Sequence, residues 1–353
     1  MGKFVEFCHK KGVRPSFKTY FIDAMGAMAL GLFASLLMST ILGTIGDFAF
    51  GKGQTEDFLH TIASYAKGAS GMAIGCAVAG ALKAPPLVLA SCAVVGSIGY
   101  SLPFIVEGKT LTAGPAGAFL AVLFACELGK LVCKSTKVDI LVTPTVTLLA
   151  GFGISALLCP GISYGMYYLG QFINYATELQ PILMGIIISV VVGIILTLPI
   201  SSAAICAMIG ITGIAGGAAA AGCCAQMVGF AVISYRENKM GGLIAQGLGT
   251  SMLQMGNICR NPLIWIPATL ASAITGPLAT TVFKLECTGV SAGMGTCGLV
   301  GPIGIFSDTG SGTMAIVGVI VICLVAPAIL SLVFSEIMRK IGWIKPGDMK
   351  LEM

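Results

Sequence analysis

An all-α, polytopic membrane fold is the class this sequence predicts, and three observations predict it. The chain is 56% hydrophobic and only 10% charged, where soluble domains carry about 25% charged residues. Charge is missing altogether between Asp139 and Glu178, between Glu178 and Arg236, and between Asp308 and Glu336. Each gap accommodates one or more spans of about 20 residues at a rise of about 1.5 Å. The third observation is where the cations sit: Lys3, Lys10, Lys11, Arg14 and Lys18 precede the first apolar run, and Arg339, Lys340, Lys345 and Lys350 follow the last.

Basic ends that flank apolar spans report the positive-inside rule, so both termini are expected in the cytoplasm: a basic arm over 1–19 and a tail over 339–353. Nucleic acid is not the expected partner; the lipid bilayer is. The first apolar run starts late and is long, which reads as a retained helix and not as a cleaved signal peptide. Most of the 13 cysteines, among them Cys76, Cys92, Cys126, Cys206 and Cys323, lie inside apolar runs, where Cys behaves as a small hydrophobe. Their spacing suggests neither a disulfide framework nor a metal site, and no cofactor is expected.

Taken in order, residues 20–45 form the first span, followed by a loop with Asp47, Glu56 and Asp57. Residues 58–82 return, Lys83 marks an inner turn, and "APPLVLASCAVVGSIGY" rises again. A loop with Glu107 and Lys109 precedes a span over 113–134, which ends in the cluster Lys130, Lys134 and Lys137. A further span covers 140–160. The tyrosines of "GISYGMYYLGQFINYATELQ" then suit an interfacial helix in the aromatic belt. Residues 181–204 and 207–234 follow, the latter as one span or two shorter pieces. Strict alternation places Arg236 and Lys239 of the "YRENK" turn outside, against the rule, unless 207–258 contains a re-entrant segment. Segments 240–258, 262–283 and 313–337 complete about ten membrane elements. Two stretches, "ALKAPPLVLASCAVVGSIG" and "NICRNPLIWIPATLASAITG", share a cation, a nearby proline and an apolar run ending in glycine. A diverged internal repeat or convergent membrane composition explains this equally well.

Residues 285–312, "LECTGVSAGMGTCGLVGPIGIFSDTGSG", hold eight glycines in 28 residues. Gly293-x-Gly295-x-x-Gly298 has dinucleotide-fingerprint spacing, but that motif needs a strand before it and a solvated βαβ unit around it. With Pro302, the glycines are too many for a continuous helix. The stretch is also too apolar and too long for a free loop. Irregular backbone at membrane depth survives only packed in protein or lining a cavity, so a glycine-rich re-entrant hairpin is expected. The alternative is close helix packing through small residues. Glu286, Thr288, Ser291, Thr296, Ser307, Asp308 and Thr309 favour the hairpin, because packing alone needs none of them. Upstream, Gln246, Thr250, Gln254, Asn257, Arg260 and Asn261 recur mostly every three or four residues, one stripe of a helix. Amides, a guanidinium and carboxylates beside a glycine-rich turn suit a small, hydroxyl-rich or anionic solute; a stripe that hydrogen-bonds neighbouring helices is the bland alternative. The candidate binding set is therefore Gln254, Asn257, Arg260, Asn261, Glu286, Thr288, Gly293, Gly295, Thr296, Gly298 and Asp308, with no catalytic group. Glu127 is an intramembrane acid, but Lys130 stands three residues on and can pair with it.

At "SAGMGTCGLVGPIG" and "AGPAGAFLAVLFACELGK", and over essentially the whole of 1–353 as one membrane domain, the chain resembles the membrane-embedded enzyme IIC components of the bacterial phosphotransferase system. The likeness is to the divergent branch that includes PfoR-type regulatory membrane proteins. The resemblance implies a homodimeric sugar permease in the bacterial inner membrane. It also implies a separate soluble IIB protein as phosphoryl donor, so that phosphotransfer belongs to the pair. Family members place a membrane-embedded histidine and a glutamate near the sugar. This chain has only His9 in the arm and His60 near an outer end, which leaves Glu286 or Asp308 to hold sugar hydroxyls. Two rival readings stand beside the permease. One is a sensor or regulator of the same fold that binds solute without transport. The other is an ion- or proton-coupled transporter using Glu127, Glu286 or Asp308.

Overall fold

The computed structural model describes residues 6, 8, 10–13, 16–49, 53–106, 108–310 and 312–351; His9 and Glu107 lie outside them. The described chain is helical apart from turns, short extended links and one two-stranded hairpin. Its helices are α1 Lys18–Gly46, α2 Gln54–Gly68, α3 Ser70–Ala81, α4 Pro86–Ser101, α5 Gly114–Val132, α6 Asp139–Ala176, α7 Pro181–Thr197 and α8 Ser202–Ile209. They continue with α9 Gly213–Ile233, α10 Tyr235–Ile244, α11 Met255–Arg260, α12 Pro262–Val282, α13 Gly289–Ala292, α14 Val300–Thr309 and α15 Thr313–Ile341. Among the described residues, α1, α5, α6, α9, α12 and α15 are the 6 helices long and apolar enough to cross a membrane, and α3, α4 and α7 are shorter apolar helices. The chain is a multi-pass membrane protein. Its helices do not map one to one onto the ten elements expected: 58–82 is broken at Ala69 into α2 and α3, and 240–258 into several short pieces. Conversely, α6 runs unbroken through Pro160 to Ala176, where the sequence suggested a span and then a separate interfacial helix. Membrane helices tolerate such a proline because neighbours re-satisfy the freed carbonyl.

Two compact units make up the chain, 1–36 with 64–165 and 37–63 with 166–353. In the N-terminal unit α3 packs on α4, and α4 on α5. The backbones of α3 and α4 touch where Gly75 meets Gly96, the close approach that small residues permit in membranes. Strands β1 Pro103–Val106 and β2 Lys109–Thr112 pair antiparallel, Phe104 opposite Leu111, in the loop before α5. The Lys130 ammonium, 3% exposed, lies 2.8 Å from Glu127 Oε1. It also donates to the carbonyls of Leu82 (3.0 Å) and Gly12 (3.3 Å). All three of its protons are used, and Glu127 is paired locally.

The C-terminal unit is built around α9, whose apolar window is 94% buried and so forms the axis of the unit. α7 runs in the same direction as α9, Gly193 meeting Gly222 and Thr197 meeting Gln226. α12 runs the other way: Trp265 contacts Gln226, Ser272 contacts Ser189, and Gly276 contacts Gly185. α15 then runs back along α9, from Gly318 beside Leu285, past Ser331 beside Gly229, to Arg339 bonded to the Ile233 carbonyl. One end of this unit therefore carries the start of α9, the end of α12 and the start of α15. The opposite end carries residues 235–261 and the segment after Ile341. There Arg236 pairs with Glu336 at 3.0 Å and Arg339 with Glu237 at 3.3 Å. The "YRENK" turn thus lies at the same end as the C-terminal segment.

Candidate functional site

Lys284, at a left-handed φ of 47°, turns the chain off the end of α12. Residues 285–288 are extended and lie on the first turn of α9, with Cys287 N bonded to Gly213 O at 3.1 Å and Gly289 N to Ile211 O at 2.9 Å. Glycine is obligatory beneath them: a Cβ at Gly216 or Gly217 would overlap the carbonyl oxygens of Cys287 and Leu285. The chain continues through α13 to a tight turn in which Gly295, Gly298 and Leu299 all have positive φ. A left-handed leucine is uncommon, and such backbone persists only where its surroundings over-determine it. α14 brings the chain back. The Thr288 hydroxyl donates to Asp308 Oδ2 at 2.9 Å, Glu286 N donates to Thr309 Oγ1 at 2.8 Å, and that hydroxyl donates to Glu286 O at 3.2 Å. The two ends of 286–309 thus lie side by side, and the stretch between them packs along α9.

The tip reaches Cys223 and Met227, halfway along α9, about 15–20 Å from its start at 1.5 Å per residue. Gly295 packs on Cys223, and the Thr296 hydroxyl lies 3.6 Å from Met227 Sδ and donates to the Gly247 carbonyl. Ser202, in the first turn of α8, fixes Gly293 through a bond to its carbonyl at 2.7 Å.

Gly247 belongs to a second irregular stretch, which approaches from the opposite end. After α10 come a π turn at Ala245–Gly249, an extended Thr250, a 3-10 turn at Ser251–Gln254, and α11. Beside the meeting point lies a buried polar cluster that the sequence reading passed over. Gln226, fully buried, donates to Thr269 Oγ1 at 3.1 Å, and its Oε1 accepts Trp265 Nε1 at 3.1 Å and the Thr197 hydroxyl at 3.5 Å. Thr197 and Ser251 exchange a hydroxyl bond of 2.8 Å. A single amide inside 21 residues of glycine, alanine and apolar side chains was the available signal, because intramembrane polar groups mark pathways and sites.

The structure distributes the candidate binding residues over three places. Gly293, Gly295, Thr296 and Gly298 form the tip. Glu286, Thr288 and Asp308 are exposed at the mouth of the hairpin. Gln254, Asn257 and Asn261 do not face the hairpin, as the helical stripe suggested; they grip the C-terminal segment. Gln254 Nε2 donates to Met349 O at 3.0 Å, Asn257 Nδ2 to Lys350 O at 3.0 Å, and Asn261 Nδ2 to Trp343 O at 3.1 Å and Asp348 Oδ2 at 2.7 Å. The stripe fails because the backbone beneath it is not one helix. Arg260 is exposed at the tail end of α12, the end opposite the mouth, so it is not available to neutralise Glu286 or Asp308. Among the described residues no group of three or more His, Cys, Asp or Glu side chains is arranged to hold a metal ion.

The family model described as phosphotransferase system, EIIC, matches residues 22–351. The chain belongs to this EIIC family. Membership makes it a membrane component of sugar transport, a role that in general involves a sugar substrate and a partner IIB domain. No curated protein and no solved structure matches the chain.

Proposed function

We propose that the chain binds and translocates a small polar solute, a sugar, where the tip of 285–312 meets the broken stretch 245–255. The observation that carries this reading is the bond from Thr296 to the Gly247 carbonyl, halfway along the most buried helix and beside the Gln226 cluster. In this reading 285–312 is a re-entrant hairpin. Irregular backbone at membrane depth is stable only where it lines a polar cavity or is packed in protein, and transporters build their midplane sites from such broken elements. Gln226, Thr269, Thr197 and Ser251 supply donors and acceptors for hydroxyls, and Trp265 supplies a flat apolar face with an N–H at its edge. Glu286, Thr288 and Asp308 form the entrance. Any phosphoryl transfer belongs to a separate IIB protein, and the working unit is a homodimer.

The positive-inside rule orients this proposal. Arg236, Lys239, Arg260, Lys340, Lys345 and Lys350 gather at the tail end of the C-terminal unit, and Lys11 reaches the loop of Lys134 by donating to Cys133 O and Ser135 Oγ. Both ends are assigned to the cytoplasm, and the hairpin then opens to the outside. The test is a thermal-shift screen of purified protein against a panel of sugars, repeated on Thr296→Val and Gln226→Leu. A sugar that stabilises the parent and neither variant supports the site. A sugar that stabilises both variants like the parent removes it.

A further inference from the structure

The segment after α15 is not a loose end. Gly342, with φ 87°, ends the helix, and the chain folds back so that Ile344 (2% exposed) and Met349 (fully buried) enter the same core as Phe230, Ile233, Ile258, Ile264 and Met338. Asn238 donates to Met349 O at 2.8 Å and accepts from Leu351 N at 2.8 Å, and Glu237 accepts from Gly347 N at 3.2 Å. The backbone of 343–351 is thus read by a row of side-chain amides.

Those amides continue inward. Asn257 Nδ2 donates to Gln254 Oε1 at 2.8 Å, and Gln254 Nε2 donates to Gln246 Oε1 at 2.9 Å. Gln246 in turn donates to Ser234 Oγ at 2.8 Å and to Gly242 O at 3.0 Å. Gln246 sits on the π turn whose next residue, Gly247, presents its carbonyl to Thr296 at the hairpin tip. Gln246 and Gln254 are fully buried. An amide both donates and accepts, so each member of the row passes its orientation to the next. Leaving one buried amide half-satisfied is costly.

We infer that residues 343–351 are a docked strap whose release is coupled to the hairpin tip through Gln246 and Gln254. When Thr296 lets go of the Gly247 carbonyl, the π turn is free to tighten into an ordinary helical turn. That movement turns Gln246 away from Gln254, and Gln254 then loses its reason to reach Met349. By linkage the effect is reciprocal: freeing the strap loosens the tip. The π turn is the two-state element that both ends bias. This device reports the state of the tip at the tail end of the unit. It stands whether or not the tip is the sugar site, because its test uses no solute.

The experiment is hydrogen exchange read by mass spectrometry on the full chain in lipid nanodiscs, following 343–351 and 289–301. Thr296→Val should speed exchange at 343–351 by about 5-fold or more, the scale set by losing one buried hydrogen bond, and Thr296→Ser should restore it. Gln254→Leu should speed exchange at 289–301; if that variant does not insert, deletion of 347–351 takes its place and is read at the same peptides. Asn261→Ala, which frees Trp343 and Asp348 but leaves Met349 and Lys350 on Gln254 and Asn257, should loosen 343–346 with far less effect at 289–301 than Gln254→Leu. The coupling is overturned if Thr296→Val loosens only the hairpin. It is also overturned if Asn261→Ala loosens the hairpin as much as Gln254→Leu does, since the effect would then be general destabilisation.

Discussion

Both units dock a terminal segment onto one end, and they do it with different chemistry. In the N-terminal unit the arm is pinned by ammonium groups: Lys130 reaches the carbonyls of Gly12 and Leu82, and Lys11 reaches Cys133 O and, at 2.7 Å, Ser135 Oγ. In the C-terminal unit the tail is gripped by Asn238, Gln254, Asn257 and Asn261. An ammonium only donates, so Lys130 ends its network at two carbonyls, and its buried charge demands a counter-ion, Glu127. An amide donates and accepts, so a row of them needs no counter-ion and can extend through the interior. The first arrangement fastens; the second fastens and transmits. The interior follows the same division. Lys130 is the more deeply enclosed cation, 3% exposed against 12% for Arg339 in its pair with Glu237, and beside that pair the C-terminal unit buries uncharged amides, Gln226 and Gln246.

The largest break in this comparison is expected at Lys130. Lys130→Met leaves Glu127 with its charge, in a site only 15% exposed, and releases two carbonyls at once. Removing one partner of a buried pair costs about 3–5 kcal/mol, so the variant should lose much of its thermal stability in detergent. The double variant Lys130→Met with Glu127→Gln should recover part of it. A Lys130→Met protein that melts with the parent would show that the pair is solvated and the arm fastened elsewhere. Next comes Gln226→Leu, which removes the acceptor of the Trp265 N–H, while Thr269 and Thr197 keep their bonds to Trp265 O and Ser251. A cost of about 1–3 kcal/mol is expected, together with loss of sugar-dependent stabilisation. Survival of the sugar response would leave Gln226 a structural group.

A smaller effect is expected in the amide row. Asn257→Ala removes one bond to Lys350 O and one to Gln254. Loss of roughly 1 kcal/mol at a docked end opens that end locally, so exchange at 347–351 should quicken while the melting temperature of the whole moves little. A drop in melting temperature comparable to that of Lys130→Met would instead make the tail part of the global fold.

How much of this was legible depends on which partner each residue needed. The break in regular helix at 293–299 was readable because its cause is local: Gly295 and Gly298 take the positive φ that other residues resist, and each glycine weakens a helix by about 1 kcal/mol. The apolar spans were readable for the same reason. The role of Gln254, Asn257 and Asn261 was not, because their partners are backbone carbonyls more than 80 residues away, and a carbonyl leaves no mark in a sequence. Their regular spacing pointed to one helix face, yet Thr250 at φ −162° interrupts that helix. Arg260 was misplaced with them, since its proximity in sequence to the hairpin hides the full length of α12 in between. Gln226 was present in the sequence and overlooked, because the small residues around it read as pure packing.

The smallest effects, and the sharpest contrast, are expected at the hairpin mouth. Glu286 and Asp308 stand at the same end, where two carboxylates repel unless distance, a cation or a hydrogen bond relieves them. The structure answers it with geometry: both are exposed, and Thr288 donates to Asp308. Glu286 is held by its backbone, through Thr309, and not by its carboxylate. Asp308→Asn keeps an oxygen to accept from Thr288 but loses the charge assistance, so the mouth should loosen by well under about 1 kcal/mol at so exposed a position. Glu286→Gln changes no bond that closes the mouth, so stability should not move at all. Sugar affinity then separates the two carboxylates cleanly. If Glu286 accepts a hydrogen bond from an incoming hydroxyl, the amide variant should bind about 10-fold more weakly, since a bond to a charged acceptor contributes roughly 1.5–3 kcal/mol, with the melting temperature of the free protein unchanged. Calorimetry of the two variants with a sugar that stabilises the parent decides it. Equal affinity in both would remove the mouth from the binding site and leave the tip, with Thr296 and the Gln226 cluster, to hold the sugar alone.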